Sequence, residues 1–229
     1  MPRLVRIVRN VEFVQLFDSF FITAITTILV VRFYLKVTGY PQIGSSTLHI
    51  SHLLPGTILM LIAVIVLLSA VNRAARGFAA ITAGLGFGLA WDELGKFVTK
   101  NNNYFFHATP GLIYLTFVIL YLIVRYSAQR RFTQEEYLAN LLDLIKDAAI
   151  KDLDQREYQH AKQLLAQVSK ENPLYGLAKE MLEKVKPTAA RQPSVLDKAI
   201  NEIKKPLIKL SRKYFFSKIV VGVAVVYGF

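Results

Sequence analysis

The sequence predicts an all-α, multi-pass helical integral membrane protein with four spans, a partial or truncated fifth, and a small cytoplasmic helical domain. Three observations carry this. Of 229 residues, 53% are apolar and only 19% are charged. Four stretches before residue 127 meet or approach the ~20 apolar residues that a helix needs to cross a hydrocarbon core. Charge is also segregated: Asp18, Asp92 and Glu93 are the acids of residues 13–124, whereas both signs crowd residues 125–214.

The spans are expected at 14–34, 53–71, 77–97 and 109–126. Arg3, Arg6 and Arg9 precede the first. Together with the apolar run they suggest a secretory signal, but Asp18 interrupts the run and no A-x-A cleavage site follows, so an uncleaved span is expected. Basic residues near span ends tend to stay in the cytoplasm. Arg3, Arg6 and Arg9, then Arg73 and Arg76, then Arg125, Arg130 and Arg131 all fall on one side. That places the N-terminus and residues 127–213 in the cytoplasm, and the chain in the cytoplasmic (inner) membrane. The loops at 39–48 and 100–108 then face outward. Much of the net charge of +12 follows from this topology and does not indicate a nucleic-acid partner.

Residues 127–186 should form the cytoplasmic domain. Thr133 followed by Glu136 is a capping-box signature, and apolar residues at helical spacing then mark three amphipathic helices. Their stripes are Leu138, Leu141, Leu142 and Ile145; Tyr158, Ala161, Leu164, Leu165 and Val168; and Leu174, Leu177, Met181 and Leu182. Ala161, Leu165 and Pro173 stand at the small, bulky and proline positions of a tetratricopeptide repeat, so residues 142–175 resemble one such repeat. Ala148 and Ala149 depart from its usual Leu and Gly, and no second period follows, so a plain helical hairpin is expected. Such a domain offers a surface for a protein partner within residues 133–186.

Two prolines bracket small and polar residues at 187–193, which reads as a linker. Residues 194–229 read as a basic amphipathic helix entering an apolar segment too short for a full crossing, either a fifth span cut short or an interfacial tail. Lys204, Lys205, Lys209, Arg212, Lys213 and Lys218 suit an anionic lipid surface, or simply mark the cytoplasmic side.

Ionisable groups inside spans are costly, which makes each a candidate for function. In the third span Ala80, Gly84, Gly88, Asp92 and Lys96 recur every four residues and share one helix face, with Glu93 rotated about 100° from Asp92. Small residues at that spacing admit a close neighbouring helix. Asp92 could then pair with Lys96 one turn on. His49 and His52 precede the second span and His107 the fourth, so the topology brings His49, His52, His107, Asp92 and Glu93 to one side at similar depth. Imidazoles and carboxylates there could bind a divalent metal such as Zn²⁺ through His49, His52, His107 and Asp92. Without metal, His52, Asp92 and Glu93 could serve acid–base catalysis, and a bis-histidine haem is a third option. The bland alternative is an interfacial belt of polar and aromatic side chains. Asp18 lies near a face with Gln15, Ser19, Thr23 and Thr26, where it could relay protons if the protein is a transporter.

No P-loop, Rossmann glycine pattern, G-x-S-x-G or H-E-x-x-H occurs, and without cysteine there is no thiolate chemistry. The run GLGFGLAWDELGKFVT at 84–99, with NYFF at 103–106, resembles a segment of uncharacterised bacterial multi-pass membrane proteins. That resemblance implies a bacterial membrane location and no particular activity.

Overall fold

The computed structural model describes residues 7–38, 52–93, 109–150, 153–188 and 202. The chain divides into two compact units, 1–191 and 192–229; of the second, only Glu202 is described. Among the described residues there are seven helices and one isolated bridge, Asp154 to Thr188. The helices are α1 (Phe13–Thr38), α2 (Leu53–Ser69), α3 (Arg73–Asp92), α4 (Thr109–Gln129), α5 (Gln134–Ala149), α6 (Gln155–Leu165) and α7 (Tyr175–Lys184). The expected linker and basic tail lie outside the described residues except at their edges, as do the loops at 39–48 and 100–108.

Each expected span coincides with a helix, but their capacity to cross a membrane differs. Two are long and apolar enough, over Phe13–Leu35 and Gly111–Gln129. The other two expected spans do not meet that measure. Helix α2 carries no charged residue yet has only 17 residues, about 25 Å at 1.5 Å per residue. Helix α3 fails for a different reason: it opens with Arg73 and Arg76, and then uses Ala, Gly and Thr where a lipid-facing helix uses Leu, Ile and Val.

Many of the large apolar residues of these helices point outward. Leu29, Val30 and Phe33 of α1, Leu61, Ile65 and Leu68 of α2, and Leu122 and Ile123 of α4 are all exposed. Only 22% of the most apolar stretch of α1 and 6% of that of α4 are buried. A core helix of a soluble protein would be mostly covered, and an exposed apolar surface of this extent normally contacts lipid or another protein.

The interior of the bundle is made of small residues, because α3 is wedged between α1 and α2. On one face, a Cβ added at Gly84 would lie 2.5 Å from the carbonyl oxygen of Phe20, and one at Gly88 would lie 2.6 Å from that of Ala24. On the other face, a Cβ at Gly86 would lie 2.5 Å from the carbonyl oxygen of Gly56, and one at Gly56 would lie 2.7 Å from that of Gly86. Backbone meets backbone on both sides. The matching steps 20 to 84 and 24 to 88 make α1 and α3 run parallel, with α2 antiparallel between them in sequence. On α1, the hydroxyls of Ser19, Thr23 and Thr27 donate to the carbonyls of Gln15, Ser19 and Thr23, so this polar ridge satisfies itself while packing against glycine. Aromatic rings bring in α4: Phe117 packs edge-on against Phe87 of α3 and also meets Phe21 of α1.

Helices α5–α7 enclose their own core. Leu138, Leu141, Leu144 and Ile145 of α5 meet Leu153, Ala161 and Leu164, then Val168, Ala178 and Leu182. The expected cap at Thr133 is present, with Glu136 N–H donating to the Thr133 hydroxyl and Thr133 N–H to the Glu136 carboxylate. A second capping box at Asp154 and Glu157 starts α6. The third expected stripe is corrected: Ala178 and Leu182 turn inward, while Leu174, Leu177 and Met181 are exposed. The chosen period was helical, but it followed the larger side chains, and a pocket against α5 and α6 accepts Ala178 instead.

Candidate functional site

Polar side chains gather at both ends of the bundle. At the Asp92 end, the register that sets Gly84 against Phe20 and Gly88 against Ala24 brings Asp92 level with the next turns of α1. There Arg32 Nε donates to Asp92 Oδ1 at 2.7 Å, and an Arg32 terminal nitrogen reaches the Asp92 carbonyl at 3.5 Å. Asp92 has no exposed surface. A carboxylate this deeply covered must be paired to remain charged, and the partner comes from another helix, 60 positions earlier. Lys96, the partner expected from spacing, lies outside the described residues.

Glu93 turns the other way, toward α2. It is 1% exposed, and its Oε2 accepts from the backbone N–H of Leu53 at 3.3 Å. Its Oε1 lies 3.8 Å from His52 Nδ1. The first N–H groups of a helix have no partner within it and carry partial positive charge, so a carboxylate at the first residue of α2 is well placed. His52 offers no side-chain cap of its own, and Glu93 takes that part from across the bundle. Adjacent acids thus tie α3 to α1 and to α2, and both are partly engaged before any ligand arrives.

His52 and Glu93 are the only members of the proposed cluster brought together among the described residues. Asp92 is directed at Arg32. His49 and His107 lie outside the described residues, and among those described no three His, Asp or Glu side chains converge as a metal-ligand set. His52 Nδ1 is buried with no hydrogen bond. Asp18 sits half-buried in the second turn of α1.

The Arg73 end was not foreseen as a site. Arg9, Arg73 and Arg76 read in the sequence as markers of membrane side, and each is engaged by an acid. Arg9 donates through Nε and a terminal nitrogen to both oxygens of Glu136, at 2.9 and 2.8 Å. Its remaining donors reach the carbonyls of Ser127, Arg130 and Arg131, where α4 ends, and its guanidinium lies 4.4 Å from the centre of the Phe132 ring. Asn140 completes the knot, accepting from Val11 N–H and donating to the Arg9 carbonyl. The Arg9 guanidinium, with backbone N–H donors from Thr133 and Arg9, holds the Glu136 carboxyl down at about 2.

Arg73 grips both oxygens of Glu12 and donates to Glu157 at 2.6 Å. Arg76 pairs with Asp143, which also accepts from Lys146. Lys146 in turn donates to the Val71 carbonyl between α2 and α3. Burial pushes the Asp143 carboxyl up, but the bonds from Arg76 and Lys146 outweigh it and hold it below its ordinary value. These pairs fasten α5 and α6 to the ends of α1, α3 and α4. The tell-tale sequence feature was the acid complement, since Glu136, Asp143 and Glu157 all face arginines that positive-inside counting leaves solvated.

Comparison with known proteins gives no match to a family model, a curated protein or a solved structure.

Proposed function

We propose that this chain is a multi-pass protein of the cytoplasmic membrane in which α1–α4 cross as a bundle, and that it works as a membrane-anchored scaffold. In this reading the N-terminus and α5–α7 lie in the cytoplasm. Helix α2 reaches across by local thinning of the bilayer, and α3 crosses shielded by its neighbours. The observation that carries the scaffold reading is the outward stripe of α7. Leu174, Leu177 and Met181 are 47%, 56% and 41% exposed, at the i, i+3, i+7 spacing of a helix that receives another amphipathic helix. Latching by Arg9, Arg73 and Arg76 supports it further, because a domain held at three points presents that stripe at a constant orientation to the membrane. The expected lipid contacts of Lys204 to Lys218 are part of the same proposal.

The test is stoichiometric co-purification of a protein partner from membranes. Replacing Leu177 and Met181 by Glu should abolish it, and deleting residues 133–186 should do the same. Asp92→Asn and Glu93→Gln should leave it intact, and a partner lost only in those two variants would overturn the reading.

A second reading is favoured by the proximity of His52 and Glu93. It keeps a His/carboxylate centre at the outer face, completed by His49 and His107, that binds a divalent metal such as Zn²⁺ or performs hydrolysis. Elemental analysis of the purified protein decides it. Absence of stoichiometric metal, with unchanged stability in His52→Ala, would sink the metal version. A proton-linked transporter through Asp18 has less support, since the neighbouring hydroxyl ridge bonds to its own helix.

A further inference from the structure

A cavity of about 220 Å³ opens where the bundle meets the helical domain, lined by Glu12, Arg73, Ala74, Asp147, Asp154, Glu157 and Thr188. Four of its seven lining residues are acids and one is a base, in a chain whose net charge is +12. Arg73 is already committed to Glu12 and Glu157. Asp154 Oδ1 accepts the N–H groups of Arg156 and Glu157 at the start of α6. Asp147 is engaged only in part: it is 2% exposed and its carboxylate accepts the Arg73 backbone N–H, but its Oδ1 is buried without a hydrogen bond. A buried carboxylate oxygen left unpaired is costly, and burial accordingly pushes the Asp147 carboxyl up.

We propose that this cavity binds a small organic cation bearing N–H donors, a protonated primary amine, with Asp147 as its principal acceptor and Asp154 as its second. The acids are spread around the wall and do not converge: among the described residues no three form a metal-ligand set. An ammonium group reaches acceptors one hydrogen bond at a time and tolerates that spacing, whereas a bare divalent ion needs several oxygens within about 2.0–2.6 Å at once. The volume fits a few heavy atoms and not a nucleotide or a cofactor. Because the wall draws on Glu12 just before α1, on α3, α5, the start of α6 and the bridge residue Thr188, the bound amine would brace the junction between bundle and domain.

The probe is 1,4-diaminobutane, added to the full-length protein in detergent at constant ionic strength. Calorimetry should show one site per chain, and thermal unfolding should shift upward with amine concentration. Asp147→Asn should weaken binding about tenfold or more, the size expected for losing a hydrogen bond to a charged group. Should that variant fail to fold, Asp154→Asn provides the second arm: Asn caps helices as well as Asp does, so α6 is kept while a charge is removed, and binding should fall several-fold. The proposal is overturned by absence of binding, by an equal shift with sodium chloride, by stabilisation with Mg²⁺ and not with the amine, or by unchanged affinity in folded Asp147→Asn and Asp154→Asn proteins.

Discussion

Arg9 and Glu136 are 127 positions apart in sequence and meet in a two-pronged ion pair, with both carboxylate oxygens bound by one guanidinium. Arg9→Ala leaves Glu136 partly covered and unpaired, and frees the carbonyls that end α4. The expected cost is about 2–4 kcal/mol, between an exposed pair and a buried one. Lysine cannot reproduce the fork, so Arg9→Lys should recover less than half. Limited proteolysis between α4 and α5 is the direct readout, with cleavage accelerating in both variants.

The same pair makes the junction acid-sensitive. The folded Glu136 carboxyl lies at about 2 against an ordinary 4.5, so the folded state binds fewer protons than the unfolded state in that interval. Its stabilisation is therefore complete above about pH 4.5 and is lost as pH falls toward 2. Protection of the Val11 and Glu136 amides, relative to the unfolded-chain exchange rate at each pH, should fall across that range. Glu136→Gln should remove this component of the pH dependence while lowering stability at neutral pH.

Glycine at position 86 should be irreplaceable, and glycine at 77 should not. An added Cβ at Gly86 meets the Gly56 carbonyl at 2.5 Å and the Met60 nitrogen at 2.9 Å, both backbone atoms that cannot rotate aside, whereas one at Gly77 meets nothing within 4 Å. Gly86→Ala should destabilise the protein by about 1–3 kcal/mol or more through overpacking. Gly77→Ala should be neutral or stabilising by up to about 1 kcal/mol through helix propensity. Thermal unfolding in detergent compares the two, and equal behaviour would contradict the backbone contact between α2 and α3.

Asp92→Leu should cost about 1–3 kcal/mol, since it leaves the Arg32 guanidinium, 33% exposed, facing an apolar side chain. The double variant Arg32→Met with Asp92→Leu should regain much of that loss. Unfolding measurements on a double-mutant cycle report the coupling, and strict additivity would show that the pair does not act as one unit.

Much of the helix pattern was legible in the sequence because it is local. The apolar runs, the three-helix periodicity after residue 133 and the Thr133 capping box all depend on residues within one or two turns. The Asp154 to Glu157 box has the same local signature, an acid at the cap with Glu three residues on. Membrane-crossing capacity is hardest to read at α3, where small residues raise average apolarity without supplying lipid-facing bulk. The Asp92 end was legible in part: the small-residue stripe points to Asp92, but finding Arg32 as a partner requires the α1 to α3 register, which close glycine contacts set. Arg9, Arg73 and Arg76 were legible as bases and illegible as latches, because a span-flanking arginine looks the same in sequence whether water or an acid receives it.

The slenderness of α3 also constrains how the bundle is assembled. A segment that begins with two arginines and is otherwise built from alanine, glycine and threonine over much of its length partitions weakly into lipid by itself. Its hydrophobic cover is carried by α1 and α2, which flank it at backbone distance. In the proposed bundle, α3 must enter the bilayer together with α2, to which residues 70–72 join it, or wait at the membrane surface until α1 is in place. Biogenesis of this chain is then order-dependent, with the third helix a client of the first two.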